Sequence, residues 1–127
     1  IRGADLSKDW REYPIEDKVL IISYDLAQRS ISVLVDRNFN VAIADEAHYM
    51  KGMDTKRSET VVPLLKCCKR VILLTGTPAF AKPKELFSLL SIIRPDIFFN
   101  FTPFGERYCN PSKSPWSNQI LYDGSKN

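Results

Sequence analysis

At 127 residues and 44% hydrophobic content, the chain is large enough to bury a core of its own and too apolar to be disordered. No apolar run approaches the roughly 18 residues that a membrane-spanning helix needs, and Cys67, Cys68 and Cys109 are odd in number and lack metal-ligand spacing, which argues against a disulfide framework and a zinc site. The net charge of +3 is uneven: acids outnumber bases up to Asp45 and bases outnumber acids beyond it, so the second half is suited to a phosphate backbone or is ordinary solvated surface.

Ile1 is not an initiator methionine and no signal-peptide pattern follows it, so the chain reads as an internal piece of something longer. Residues 1–18 mix charges with Trp10, Tyr13 and Pro14 and read as a lead-in segment. Val19-Leu20-Ile21-Ile22-Ser23-Tyr24 predicts a buried strand by its length and β-branching. Asp25 is placed to cap a following helix with Leu26, Ile31 and Leu34 on its inner face, ended by Asp36-Arg37-Asn38.

Val41-Ala42-Ile43-Ala44 predicts a central strand of a parallel sheet. It stops abruptly at Asp45-Glu46-Ala47-His48, which includes the only histidine. Adjacent carboxylates at the carboxyl end of such a strand lie where open α/β sheets bind ligands. A metal-bound nucleotide needs these residue types. Asp45 can hold magnesium through its water shell, and Glu46 can orient or deprotonate the water that attacks the γ-phosphate. The ordinary alternative is a strand end with solvated acids.

After a loop with Lys51 and Gly52, Asp54 is the expected N-cap of a helix running to Cys68, which Pro63 should kink or split. The next strand, Val71-Ile72-Leu73-Leu74, ends in Thr75-Gly76-Thr77-Pro78. Hydroxyls and a glycine there suit a loop that closely approaches phosphate or a neighbouring catalytic loop. A helix starting near Pro83 should bury Leu86, Leu89, Leu90 and Ile93 and stop at Arg94-Pro95. Beyond Asp96, Phe98, Phe99, Phe101 and Phe104 are expected to pack as an aromatic protrusion rather than stack on bases, and residues 110–127 read as a flexible tail. The alternation of three strands with helices predicts an α/β fold with a parallel sheet and right-handed crossovers.

The two strand-end strings, in this order, resemble motifs II and III of the superfamily-two helicases and translocases, and within these the Swi/Snf family of DNA-dependent ATPases. Ser23-Tyr24-Asp25 resembles the motif Ib region. Pro78-Ala79, Pro83-Lys84-Glu85-Leu86, Phe104-Gly105-Glu106-Arg107-Tyr108-Cys109, Trp116 and Asp123-Gly124-Ser125 are similar to the annealing-helicase branch (HARP-type, Smarcal-like). The resemblance implies a partial RecA-like (P-loop NTPase) sheet over residues 19–95, ATP with Mg2+ as cofactor, a nuclear location and binding to branched or junction DNA. It assigns ATP–DNA coupling to His48, Thr75, Gly76 and Thr77, and possible DNA contact to Ser23, Tyr24, Lys51 and Lys82.

Two positions depart from the family text: Lys51-Gly52 where Lys-Asn is common, and Ser117 after Trp116 where Gly is expected. No Gly-x-x-x-x-Gly-Lys-Ser/Thr occurs, so the phosphate loop with its strand, and the second RecA-like lobe, are expected from elsewhere in the same protein. Two other readings are a non-enzymatic nucleic-acid-binding or scaffold relic and an RNA helicase with the same four-residue string. The intact acid pair argues against the first, and Thr-Gly-Thr-Pro argues against the second.

Overall fold

The computed structural model of the chain describes residues 19–52, 55–76 and 82–125. The lead-in segment, the expected cap Asp54 and the expected site residue Thr77 lie outside the described residues. The strand β1 (Val41–Ala44) forms where the sequence predicts, and β2 (Arg70–Leu73) begins one residue early. The two pair in parallel, Val41 opposite Arg70 and Ala44 opposite Leu73. Ala42, Ala44, Val71 and Leu73 face a core of Met50, Val61, Leu65, Leu89 and Ile92. The small alanines let helices approach this face closely. The opposite face is open: Ile43 is 64% exposed and Ile72 49%. The fully buried central strand expected from the apolar text is therefore half-exposed, because among the described residues helices cover one face only.

Residues 19–23 are not a strand. Exposure alternates along them as in a strand, with Ile21 on the exposed set, but a strand exists only with a ladder partner, and none stands beside them among the described residues. The expected single helix after them is two short ones, α1 (Tyr24–Arg29) and α2 (Ile31–Asp36). Ser23, not Asp25, caps α1, its hydroxyl accepting the Leu26 N–H at 3.3 Å. Ser30, with φ −122° and ψ 27°, leaves the helical region and separates the two. Serine and β-branched residues resist a continuous helix at this point. The inner face is Ala27, Ser30 and Leu34, and Leu26 points outward.

The helix α3 (Lys56–Cys67) connects β1 to β2 and is capped by Thr55, whose hydroxyl accepts the Ser58 N–H at 3.1 Å. Pro63 does not split it. The carbonyl that loses its partner belongs to Glu59, and both residues are exposed, so water can replace the missing bond.

A 3₁₀ turn (Pro83–Leu86) leads into α4 (Phe87–Ile93), which stops before Pro95 as expected. The predicted stripe is only partly right: Leu89 is buried, but Ile93 is exposed, and Phe87, Ser88, Ser91 and Ile92 are buried instead. The helix is wedged between two clusters, Leu89 and Ile92 in the sheet core and Phe87 in an aromatic one. Burial on two sides exceeds a single stripe.

That second cluster contains a helix absent from the sequence reading, α5 (Phe101–Tyr108), capped by the Asn100 side chain. Phe98, Phe101 and Phe104 pack with Phe87, Tyr108 and Tyr122, as the packing expectation held, whereas Phe99 is exposed. The expected flexible tail is instead an antiparallel hairpin, β3 (Ser112–Lys113) with β4 (Ile120–Leu121). Tyr122 anchors it 5.2 Å from the Phe101 ring, and Asp123 accepts hydrogen bonds from Lys82 and Lys84. A polar, proline-containing text carries no local sign of such distant anchors. Among the described residues the fold is thus a small α/β unit with two parallel strands rather than three.

Candidate functional site at the strand ends

Leu74, just past β2, organises the site. Its N–H donates to the Ala44 carbonyl at 2.9 Å, and its carbonyl accepts the Ala47 N–H at 2.8 Å. A regular parallel ladder brings the N–H of residue 46 to that carbonyl. One extra residue is therefore accommodated, in the manner of a bulge, and the backbone of Asp45 and Glu46 loops out of the ladder. Glu46 sits at φ 51° and ψ 46°, a left-handed conformation uncommon outside glycine. The chain then enters a 3₁₀ turn (Ala47–Met50) whose Ala47 and Met50 are fully buried and hold the loop down. Ser58 of α3 adds a buried bond from its hydroxyl to the Met50 carbonyl at 2.9 Å. The two carboxylates are left exposed and adjacent, with Asp45 Oδ1 accepting the Glu46 N–H at 2.9 Å.

His48 Nδ1 lies 3.0 Å from Glu46 Oε2 and 3.4 Å from Thr75 Oγ1. The structure thus brings together Asp45, Glu46, His48 and Thr75, four of the residues singled out in the sequence. One nitrogen facing both groups makes a choice available. Protonated, Nδ1 donates to the carboxylate; unprotonated, it accepts from the threonine hydroxyl. Gly76 follows Thr75, and a Cβ there would meet nothing within 4 Å, so the packing of the described residues does not itself demand glycine.

The four possible DNA-contacting residues all have partners within the chain. Ser23 caps α1. The Tyr24 phenol donates to the Asp45 backbone carbonyl at 2.8 Å. Lys51 pairs with Glu85 at 3.6 Å, and Lys82 with Asp123 at 3.1 Å. Burial, with help from the negative charge of Asp45, raises the Tyr24 phenol above its ordinary pKa despite the nearby Arg57. Hydrogen bonds from Lys84 and Lys82 hold the Asp123 carboxyl below its usual range.

The sequence reading missed Arg57. Its Nη2 is 2.8 Å from Asp25 Oδ1, and its guanidinium lies 5.8 Å from the Tyr24 ring centre and 5.5 Å from that of Tyr49. It read Asp123 only as family text and missed its pairing with Lys82 and Lys84. Both work through pairings between distant residues, for which no local pattern exists. Among the described residues no group of three or more His, Cys, Asp or Glu side chains is arranged to hold a metal ion.

Fold and site define a class: an α/β unit with acids and hydroxyls grouped at the carboxyl ends of neighbouring parallel strands, the place where open sheets bind ligands. The chain belongs to the SNF2-related domain family, whose family model matches residues 5–125. Over 84% of its length it is 43% identical to the SWI/SNF-related matrix-associated actin-dependent regulator of chromatin subfamily A-like protein 1 of Xenopus laevis. It is 42% identical, over 86% of its length, to the protein of the same name from Bos taurus. It is also 41% identical, over 73% of its length, to the DNA annealing helicase and endonuclease ZRANB3 of Bos taurus. It spans only 11%, 11% and 9% of those relatives' own lengths. The family and the branch are those that the motif text resembles.

Proposed function

We propose that the chain is the back half of the first RecA-like motor lobe of an ATP-driven DNA translocase or annealing helicase, acting on branched or partly unwound DNA in the nucleus. The observation that carries this reading is the looped-out strand end, with Asp45 and Glu46 exposed side by side and His48 between Glu46 and Thr75. The relatives support it, because one is named as a DNA annealing helicase.

The donor set suits magnesium delivered with a nucleotide. That ion takes one or two carboxylates, with water and substrate phosphates completing its shell, so an exposed acid pair without a third protein ligand fits. Asp45 is the residue that would hold it, through water. Bound there, it would offset the negative charge of the ATP phosphates. Glu46 orients or deprotonates the attacking water, from an exposed position beside Asp45.

His48, Thr75, Gly76 and Thr77 couple this chemistry to DNA. A shift of the loop after β2 moves Thr75 relative to His48 Nδ1 and so changes whether that nitrogen binds Glu46. Lys51 and Lys82 reach DNA phosphates by exchanging their carboxylate partners; the Lys82–Asp123 pair is exposed, and pairs of that kind are worth only about 0–1 kcal/mol, whereas the Lys51–Glu85 pair is half-buried. The phosphate loop and the second lobe come from other parts of the same protein.

The test is Glu46→Gln in the full-length protein. The amide keeps the shape and lacks the base, so nucleotide binding is retained and DNA-dependent ATP turnover falls by about 100-fold or more. Steady-state ATPase assays with DNA decide it, and wild-type turnover by this variant overturns the assignment of Glu46.

A further inference from the structure

Tyr24 and Arg57 stand beside the site with contacts that the proposed chemistry leaves unused. The peptide groups of Asp45 and Glu46 lie outside the ladder, because Leu74 bonds Ala44 on one side and Ala47 on the other. Their carbonyls need partners elsewhere. That of Glu46 accepts the Tyr49 N–H at 3.0 Å, within the local turn. That of Asp45 accepts the Tyr24 phenol at 2.8 Å, from a residue on another element. This bond ties α1 to the backbone that carries the acid pair.

Arg57, from α3, braces the tyrosine. Its guanidinium faces the rings of Tyr24 and Tyr49 and pairs with Asp25, next to Tyr24 in the chain. Tyr49 in turn lies against His48, with ring centres 4.5 Å apart. Asp25, Tyr24, Tyr49 and His48 are therefore linked through one cation.

We propose that Tyr24 is a positioning residue for the acid pair, with Arg57 as the brace that fixes it. Tyr24 holds the Asp45 carbonyl and thereby sets the direction of the Asp45 and Glu46 side chains, and a displacement at the start of α1 is passed to them. The inference rests on the reading of Glu46 as the water-orienting residue.

Tyr24→Phe in the full-length protein removes the O–H and keeps the ring under Arg57. The bond is solvent-accessible, so water can take the carbonyl and the fold survives. With DNA saturating, kcat for ATP hydrolysis should fall about 10- to 100-fold, the cost of slight misplacement. The KM for ATP, the DNA concentration for half-stimulation and the melting temperature should stay unchanged. Arg57→Lys keeps the charge and loses the planar face, so it should lower kcat in the same direction. Because Arg57 acts through Tyr24, the double variant should be no worse than Tyr24→Phe alone.

Wild-type kcat for Tyr24→Phe overturns the proposal. So does a loss of kcat that only tracks a loss of melting temperature, full additivity in the double variant, or a raised DNA requirement, which marks a direct DNA contact instead. If Tyr24→Phe does not fold, Arg57→Lys decides alone: reduced kcat at unchanged KM supports the brace, and wild-type kcat overturns it. Wild-type turnover by Glu46→Gln sinks the underlying reading separately, whatever Tyr24→Phe does.

Discussion

Glu46 combines an exposed acidic side chain with a left-handed backbone. For an L-residue that conformation costs roughly 1–2 kcal/mol. Such strain persists where the surroundings impose it, here through the Leu74 bonds on both sides and the buried Ala47 and Met50. Glu46→Gly should therefore relieve the strain while adding about 0.4–1 kcal/mol of unfolded-chain entropy. The expected balance is a stabilisation of up to about 1 kcal/mol, read from denaturant midpoints. The same variant should lose ATP turnover in the full-length protein. Glu46→Gln keeps the strain, and its stability should stay within about 0.5 kcal/mol of wild type. A clear loss of stability in Glu46→Gly would mean that the side chain contributes more through His48 than the backbone costs.

At the scale of elements, α5 and the hairpin depend on each other. Gly105 lies on the face of α5 against which Tyr122 packs, and a Cβ there would stand 2.6 Å from Tyr122 Cδ1 and 3.2 Å from Phe101 Cε1. The contact is ring against backbone, and the ring is held by the aromatic cluster, so it cannot move aside without cost. Gly105→Ala removes a helix-interior glycine, which alone favours the variant by about 1 kcal/mol. Overpacking opposes this by about 1–3 kcal/mol and should win. Net destabilisation by thermal or chemical melting, with faster amide exchange across β3 and β4, is the expected outcome. A stabilised Gly105→Ala with a protected hairpin would show that Tyr122 is not a firm anchor.

For the molecule as a whole, the sheet is the exposed element. In the parallel register, the N–H groups of Arg70 and Leu74 point to β1, since they bond Asn40 and Ala44. Alternation then turns the N–H groups of Val71 and Leu73 to the other edge of β2, where no strand stands among the described residues. Ile43 and Ile72 add an uncovered apolar face. Beyond Arg70 at its start this edge carries no charge, and an unpaired apolar edge invites association. Exposed side chains and unpaired groups together weigh against a domain stability of typically 5–15 kcal/mol at about 25 cal/mol per Å² of apolar surface. The 127-residue chain by itself should thus self-associate on size-exclusion chromatography. Its Val71 and Leu73 amides should exchange quickly while Leu74 is protected. In a chain that also carries the phosphate-loop strand of the proposed lobe, all three should be protected. A monomeric isolated chain with slow exchange at Val71 and Leu73 would contradict this strand arrangement.

Much of the site is legible in the residues alone. The run from Val41 to Ala44 ends in two acids, and a strand end is a local property, set by a stretch of apolar residues meeting charged ones. The same holds for the stop of α4 before Pro95, which follows from proline geometry. The motif text placed the chain in its family, because residue types at fixed spacing need no coordinates. The rest depends on contacts between distant residues. The run from Val19 reads as a strand, yet only a ladder partner makes one. Ser112 to Leu121 read as tail, yet Tyr122 and Asp123 find partners on other elements and order it. The left-handed turn at Glu46 arises from an extra residue in the pairing with Leu74, and register belongs to two strands jointly. Arg57 gave no local sign, since its meaning lies in Tyr24 and Tyr49. Sequence alone determined which side chains gather at the strand ends, because periodicity, charge and breakers act over a few residues. Only the tertiary structure decided how the acid pair is aimed and braced, because hydrogen bonds and ring contacts across the fold hold a backbone that local propensity would not choose.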